Sequence, residues 1–295
     1  MIVFGKPNKY NTLISVAELS SHMGDKDWLI VDCRFSLADS EKGRQEYLLG
    51  HIPGAVYCHL NEDLCSPVIQ GITGRHPLPS VEIATQRLSQ LGIGSDTQVV
   101  AYDDWPGAPG GIAVRLWWTL CWLGHEKAAV LDGGLQDWQR AGLPLQNGVE
   151  KQPWRQFIPH PRPELIATTS DIDQMRNNPT YRVFDSRSPD RYRGENETID
   201  PVAGHVPGAM LAPYMENIGP DGLFLSALAL RTRFETLLEA IPEQHTAFYC
   251  GSGVTSAMNI LAMVHAGLSP GKLYVGSWSE WIANGTHPVA RGAST

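Results

Sequence analysis

Ala247-Phe248-Tyr249-Cys250-Gly251-Ser252-Gly253-Val254-Thr255-Ser256 is the stretch around which the chain is organised. An apolar run ends at Cys250, two glycines follow within three residues, and Ala257 to His265 then reads as a helix apolar on most sides. A strand, a tight turn and a helix in succession aim backbone N–H groups at whatever sits in the turn. Here that is a cysteine. Converging N–H dipoles and a helix N-terminus favour the thiolate, which is the nucleophilic form. Glycine lets the backbone curl around the sulfur through φ > 0. Taken alone, the stretch fits two readings: an activated nucleophile, or a buried structural cysteine acting as a small hydrophobe.

Outward from this loop, the same elements occur twice. Trp28 to Arg34 reads as a buried strand ending in Asp32-Cys33-Arg34, and Tyr181 to Arg187 as one ending in Asp185-Ser186-Arg187. Gly50-His51-Ile52-Pro53-Gly54-Ala55 is matched by Gly204-His205-Val206-Pro207-Gly208-Ala209. Helix Val81 to Gln90 is matched by Ala227 to Ala240, Tyr102-Asp103 by Tyr249-Cys250, and Leu131 to Trp138 by Tyr274 to Trp281. Asp32 to Asp185 is 153 residues, His51 to His205 is 154, Tyr102 to Tyr249 is 147 and Trp138 to Trp281 is 143. Four matched elements at nearly constant offset mark a duplicated domain of roughly 140 residues.

Within each copy, short strands alternate with helices. The first copy has a helix over Leu13 to Met23 with Ser15 as its N-cap, strands at Gln98 to Tyr102 and Ala128 to Leu131, and a helix over Ile112 to Leu123. A Gly/Pro-rich turn follows Asp103-Asp104-Trp105, and a last helix opens at Gly133. In the second copy Ser170 is placed to cap a helix running to about Arg176. This alternation predicts an α/β fold, with a mostly parallel sheet flanked by helices in each copy. The expected domains are residues 1–145 and 166–295. Residues 146–165, rich in Pro and polar residues and without periodicity, are expected to link them.

Composition narrows the function classes. The chain has 295 residues, long enough for two domains, with 42% hydrophobic and 18% charged residues, as in an ordinary globular protein. A net charge of −8 excludes a chain-wide basic field, so neither nucleic acid nor a membrane surface is expected as partner. The five cysteines, Cys33, Cys58, Cys65, Cys121 and Cys250, are odd in number and scattered, with no C-x-x-C pair. That speaks against a disulfide framework and against a zinc site. Met1 to Tyr10 has no apolar run of signal-peptide length, and the most apolar stretch, Leu116 to Leu123, is too short to span a bilayer. A reducing cytoplasm and no cofactor are the expectation.

Duplicated Asp-x-Arg, Gly-His-x-Pro-Gly-Ala, a cysteine loop and Gly276-Ser277-Trp278-Ser279-Glu280-Trp281 together resemble the tandem-domain rhodanese family. The likeness covers nearly the whole chain. It implies two tandem rhodanese-like domains, an inert N-terminal copy and an active C-terminal copy that carries a persulfide between a small-molecule sulfur donor and an acceptor. The acceptor would be a thiol, cyanide or a thioredoxin-like protein. The Cys-Gly-Ser-Gly-Val-Thr loop is similar to that of the mercaptopyruvate sulfurtransferase branch. The thiosulfate branch usually has two cationic side chains after the cysteine, where this chain has Gly251 and Ser252. The mercaptopyruvate branch carries two substrate-gripping arginines. Arg191 matches the first. Between Gly194 and Gly204 stand Glu195, Glu197 and Asp200 but no arginine, and Arg193 is the nearest substitute.

On this resemblance Cys250 is the nucleophile and Gly251, Gly253, Val254 and Thr255 shape the cradle for the persulfide. Ser252 is assigned to proton transfer, with a loop-stabilising hydroxyl as the other reading. Arg191 is the expected reader of a donor carboxylate or sulfonate, because guanidinium offers a planar fork. Arg187 is open between substrate contact and a domain-fixing salt bridge like that expected of Arg34. In the mercaptopyruvate branch the histidine matching His51 lines the cleft between the domains with a nearby Asp, here Asp39. His205, in the same motif of the second copy, reads as structural. Trp278 and Trp281 are open between walling the cleft and packing the core. Asp103, in the Cys250 position of the first copy, cannot carry sulfur and reads as a cap for its turn. Three rivals remain. Cysteine phosphatases and arsenate reductases need an arginine six residues after the cysteine, where Ser256 stands. A non-catalytic persulfide relay would show the same loop. A redox thiol protein would need a resolving cysteine near Cys250 in sequence.

Overall fold

The computed structural model describes residues 10–104 and 111–293. The Gly/Pro-rich turn after Asp104 and the first nine residues lie outside the described residues. The chain forms two compact units, each with a five-stranded parallel sheet. In the first, β1 (Leu13–Ile14), β2 (Trp28–Asp32), β3 (Val56–Tyr57), β4 (Gln98–Tyr102) and β5 (Ala128–Leu131) lie in the order β1-β5-β4-β2-β3. In the second, β6 (Ile166–Ala167), β7 (Arg182–Asp185), β8 (Met210–Leu211), β9 (Thr246–Tyr249) and β10 (Lys272–Tyr274) lie in the order β6-β10-β9-β7-β8. The two orders are the same once the second set is renumbered, so the sequence repeat is a repeat of topology. Every residue of β4 and β9 is buried, which is why residues 99–102 and 247–249 read as continuous apolar runs.

Two expectations are corrected. The helix Thr169–Met175 is capped by Thr168, not Ser170. Thr168 has the extended backbone that an N-cap needs, and its Oγ1 accepts the Asp171 N–H at 3.2 Å. The Asp171 carboxylate in turn accepts the Thr168 N–H at 2.8 Å and its hydroxyl at 2.7 Å. Ser170 already lies inside the first turn. The units are also not contiguous in sequence. Pro67–Leu78, from the middle of the first copy, belongs to the second unit. Most of the expected linker is fastened to the first unit: the Phe157 N–H donates to Ser89 Oγ at 3.2 Å, and the His160 and Arg162 N–H groups to the Leu123 and Trp122 carbonyls at 2.8 Å each.

One buried polar lock occurs in both copies. In the second, Arg187 Nε meets both Asp185 oxygens at 3.0 and 3.2 Å, and Nη2 donates to Asp185 Oδ2 and to the Gly204 carbonyl at 2.6 Å each. Tyr249 OH accepts the Val206 N–H at 3.0 Å. In the first, Arg34 Nη2 joins Asp32 at 2.6 Å to the Gly50 carbonyl at 2.7 Å, and Tyr102 OH donates to Asp32 at 2.6 Å and accepts the Ile52 N–H at 3.1 Å. Asp-x-Arg, Gly-His-x-Pro-Gly and the Tyr before the loop recur together because they form this one network.

Removing one partner of a buried ion pair leaves an uncompensated charge. Asp185→Asn is therefore expected to cost about 3–5 kcal/mol in equilibrium urea unfolding. A loss below about 1 kcal/mol would show that water or another group solvates Arg187.

Candidate active site

β9 ends at Tyr249, one residue before Cys250, and the loop that follows is clipped from behind by the Gly-Ser-Trp-Ser-Glu-Trp motif. Ser277 Oγ accepts the Cys250 N–H at 3.1 Å and donates to the Tyr274 carbonyl at 2.8 Å. The N–H groups of Trp278 and Ser279 donate to the carbonyls of Cys250 and Gly251 at 3.0 and 2.9 Å. These bonds hold Ser277 at φ 54°, a left-handed conformation that a non-glycine residue adopts only under constraint. Gly253 sits at φ +76°, and a Cβ there would lie 2.1 Å from the Val275 carbonyl oxygen. Only glycine fits.

The sulfur is enclosed, with Cys250 only 2% exposed. Burial pushes the thiol up. The Thr255 and Ser256 hydroxyls and the Ser252 and Ser256 backbone N–H groups act against burial and bring the thiol down to about 7. Ser256 Oγ stands 3.5 Å from Sγ. The helix Ala257–His265 starts there and presents its positive end. Cys33, Cys65 and Cys121 are pushed up by burial, and Cys58 is raised by its contact with Cys33 and by burial. Cys250 is the one cysteine of the five moved towards the thiolate.

The segment Pro67–Leu78 brings two more groups. A Cβ on Gly74 would lie 2.4 Å from the Gly276 carbonyl oxygen, so the segment passes tightly over the clip. The Arg75 N–H donates to Ser279 Oγ at 3.0 Å, and the next residue, His76, places Nδ1 2.8 Å from Ser252 Oγ. Both His76 and Ser252 are buried. The Arg75 guanidinium pairs through Nη1 with Asp200. Its Nη2 stands 2.9 Å from where a Cβ on Gly251 would be, with Arg191 Nη2 at 3.5 Å from the same point. Arg191 holds Glu197 in a fork, with Nε at 3.1 Å and Nη2 at 2.8 Å, and reaches Asp200 at 3.0 Å.

Of the residues predicted from sequence, Cys250, Gly251, Ser252, Gly253, Val254 and Thr255 form the loop, and Arg191 stands beside it. Arg187 is not free to read a donor. Asp185, Gly204 and, at 3.3 Å, Glu197 take its guanidinium, which is 2% exposed and stacks 4.9 Å from the Trp278 ring. It is the domain-fixing ion pair. His51 lies in the first unit, where Nδ1 donates to the Tyr47 carbonyl at 2.8 Å and the ring stacks on Tyr47 at 4.1 Å. His205 repeats this on Tyr192, at 2.8 and 3.7 Å. The His51 geometry is thus that of a motif histidine, and Asp39 instead accepts the Glu41 N–H at 3.1 Å. Trp278 and Trp281 are core residues. Arg193 pairs with exposed Glu195. Asp103 accepts the Ala113 N–H at 3.0 Å, and burial pushes its carboxyl up to about 6.

Arg75 and His76 escaped the sequence reading. One signal for them exists. The repeat offset falls from 154 at the His pair to 147 at the Tyr pair, so the first copy carries seven more residues between these points (154 − 147 = 7).

Residues 15–141 and 168–284 each match the family model described as a rhodanese-like domain. A Pseudomonas aeruginosa protein named "Probable 3-mercaptopyruvate sulfurtransferase" is 43% identical over 95% of this chain and 98% of its own length. SseB of Mycobacterium tuberculosis, whose name places it with the thiosulfate sulfurtransferases, is 37% identical over 96% of this chain and 98% of its own. The crystal structure of SseA from Escherichia coli, described under 3-mercaptopyruvate sulfotransferases, aligns with a TM-score of 0.75 at 29% identity, covering 92% of this chain and 100% of that one.

Two measurements check the electrostatics. Alkylation of Cys250 by iodoacetamide should follow a thiolate titration with its midpoint near pH 7, rising as pH rises, because the thiol is held at about 7. Ser256→Ala and Thr255→Val should each move that midpoint upward, and an unmoved midpoint would leave the lowering without its cause. Asp103 has the opposite sign of shift. Its carboxyl is raised from 3.8 to about 6, so its stability contribution is fully present below pH 3.8 and is lost as pH rises through about 6. Asp103→Asn keeps an acceptor oxygen without the charge. Relative to wild type it should gain up to about 3 kcal/mol between pH 3.5 and 7.5 in urea unfolding.

Proposed function

The chain belongs to the rhodanese family as a sulfurtransferase with two rhodanese-like domains, and we propose that it moves the thiol sulfur of 3-mercaptopyruvate to a thiophilic acceptor as the sulfane sulfur of a persulfide on Cys250. The Cys250 thiolate attacks the donor sulfur. The S–S bond forms as the C–S bond breaks, and the electron pair passes to C3 of the donor as pyruvate enolate. The proton arriving at C3 balances the one that leaves the donor thiol. The outer sulfur rests among the Ser252 and Ser256 N–H groups and the Thr255 and Ser256 hydroxyls until a thiol, cyanide or a thioredoxin-like protein takes it. The reading places this work in a reducing cytoplasm, in keeping with five free cysteines and, among the described residues, no helix long and apolar enough to cross a membrane.

The observation that carries the donor assignment is the Ser252–His76 hydrogen bond of 2.8 Å beside the nucleophile. An enolate leaving group needs a proton, and a hydroxyl backed by imidazole handles one. Sulfite, leaving from thiosulfate, needs none. Arg75 takes the part expected of the second arginine. Arg191 Nη1 and Arg75 Nη2 have no partner among the described residues, and both are free to bind a donor carboxylate.

The second reading, thiosulfate to cyanide, is favoured by the same Arg75, whose Nη2 stands where a side chain on Gly251 would be. Side-by-side kinetics separate the two. Mercaptopyruvate is expected to exceed thiosulfate in kcat/KM by at least about tenfold, the scale of one charge-assisted hydrogen bond. Ser252→Ala should lower kcat with mercaptopyruvate more than with thiosulfate. Incubation with donor should add about 32 Da to the Cys250 peptide as a persulfide, and Cys250→Ser should abolish the gain. Equal or better use of thiosulfate would overturn the donor assignment, and sulfur loading that survives in Cys250→Ser would overturn the nucleophile.

A further inference from the structure

Asp200 is a charged group against the loop that the sulfur chemistry above does not use. Its side chain, 1% exposed, bridges two guanidiniums: Arg75 through Nη1 and Arg191 through Nη2 at 3.0 Å. A Cβ on Gly251 would stand 3.6 Å from Asp200 Oδ2, so this carboxylate lies against the catalytic loop together with both arginines. Glu197 is equally enclosed and is spent on Arg191 at 2.8 Å and Arg187 at 3.3 Å, while Arg187 is locked to Asp185 at 2.6 Å. Three guanidiniums thus face three carboxylates. The Cys250 thiolate takes the cluster to a net charge of minus one before any donor arrives. The arginines still offer N–H groups. Arg75 Nε is buried without a partner among the described residues and can donate to an acceptor oxygen.

We propose that Asp200 sets the charge of the donor. Its buried carboxylate offsets one of the two arginines, so the seat accepts the single carboxylate of a 2-oxo acid thiol and disfavours a dianion. This rests on the reading of the site as a sulfur-donor site and adds the residue that selects among donors. A dianion meets the Asp200 charge twice as strongly as a monoanion does. Unit charges about 6 Å apart at an effective dielectric near 20 give this difference a scale of roughly tenfold to a hundredfold.

Asp200→Asn keeps the shape and an acceptor oxygen while removing the charge. The ratio of kcat/KM for thiosulfate to that for mercaptopyruvate should rise about tenfold, mainly through KM for thiosulfate. Asp200→Glu, which retains the charge, should return the ratio to within about threefold of wild type. A second readout needs no sulfur transfer. Alkylation of Cys250 by anionic iodoacetate relative to neutral iodoacetamide should rise about tenfold in Asp200→Asn. Should that variant fail to fold, Arg75→Gln removes a cation instead and should move both ratios in the opposite direction. A common factor across both donors and both reagents would mean that Asp200 only holds the loop, and would overturn the proposal. A wild type that prefers thiosulfate would sink the donor assignment of the previous section, while the alkylation ratios would still decide for or against Asp200.

Discussion

The buried Asp185–Arg187 pair is the constraint on which the second unit depends. Neither charge can be enclosed alone, since isolated ions in an apolar interior cost several kcal/mol each. Once paired, they demand further partners, and the chain supplies them from three distant places. The Gly204 carbonyl satisfies Nη2, the Trp278 ring covers the guanidinium face, and Tyr249 packs over the same group while its hydroxyl takes the Val206 N–H. Each partner does a second job. Tyr249 ends the strand that delivers Cys250, and Trp278 begins the turn that clips the loop through the Cys250 carbonyl. The ion pair touches no sulfur, yet it fixes the two ends of the cradle.

Within that frame, small neutral donors move the sulfur towards the thiolate. Enclosure alone would raise the thiol, as it does at Cys121, which is pushed up to about 12. Hydroxyls from Thr255 and Ser256 and two backbone N–H groups reverse the sign at Cys250. Such donors need no counter-charge of their own, so the charged groups outside the loop remain available for the donor. The first copy shows the same architecture with other chemistry. Asp103 occupies the cysteine's position at the start of its loop and accepts the Ala113 N–H, and burial raises its carboxyl to about 6. A permanently attached carboxylate fills the place where a transferable anion would sit.

The fold was legible in the sequence to the extent that local patterns encode it. β4, β5 and helix Val81–Gln90 fall where the apolar runs and Gly stops place them. Their boundaries are set by chain-local caps and by burial on both faces. The Thr168 cap was missed because Thr168 and Ser170 are both acceptable cap residues, and only the reciprocal bonds with Asp171 decide between them. The loop was legible for the same local reason: a glycine at Gly253 is demanded by the Val275 carbonyl, and the Gly-containing pattern announces a tight turn. Arg187 was ambiguous in sequence because a guanidinium suits both an ion pair and a substrate. Burial and the geometry of Asp185 settle it.

Arg75 and His76 were illegible because their placement is a property of topology. Nothing near Gly74-Arg75-His76 in sequence resembles a catalytic motif, and the segment interrupts the first copy between elements that pack in the first unit. What carries it to the second unit is backbone fit: Gly74 against the Gly276 carbonyl, and the Arg75 N–H on Ser279 Oγ. The segment therefore docks on the clip that holds the catalytic loop. Any movement of the Gly-Ser-Trp-Ser turn displaces the loop's carbonyl anchors and the Arg75 backbone together. The nucleophile and the groups that would meet its donor are thus held by one short turn, and the Asp185–Arg187 pair reaches all of them through Trp278. The second copy's own sequence encodes the cradle and Arg191, while Arg75 and His76 come from the half of the chain in which Asp103 stands at the cysteine's position.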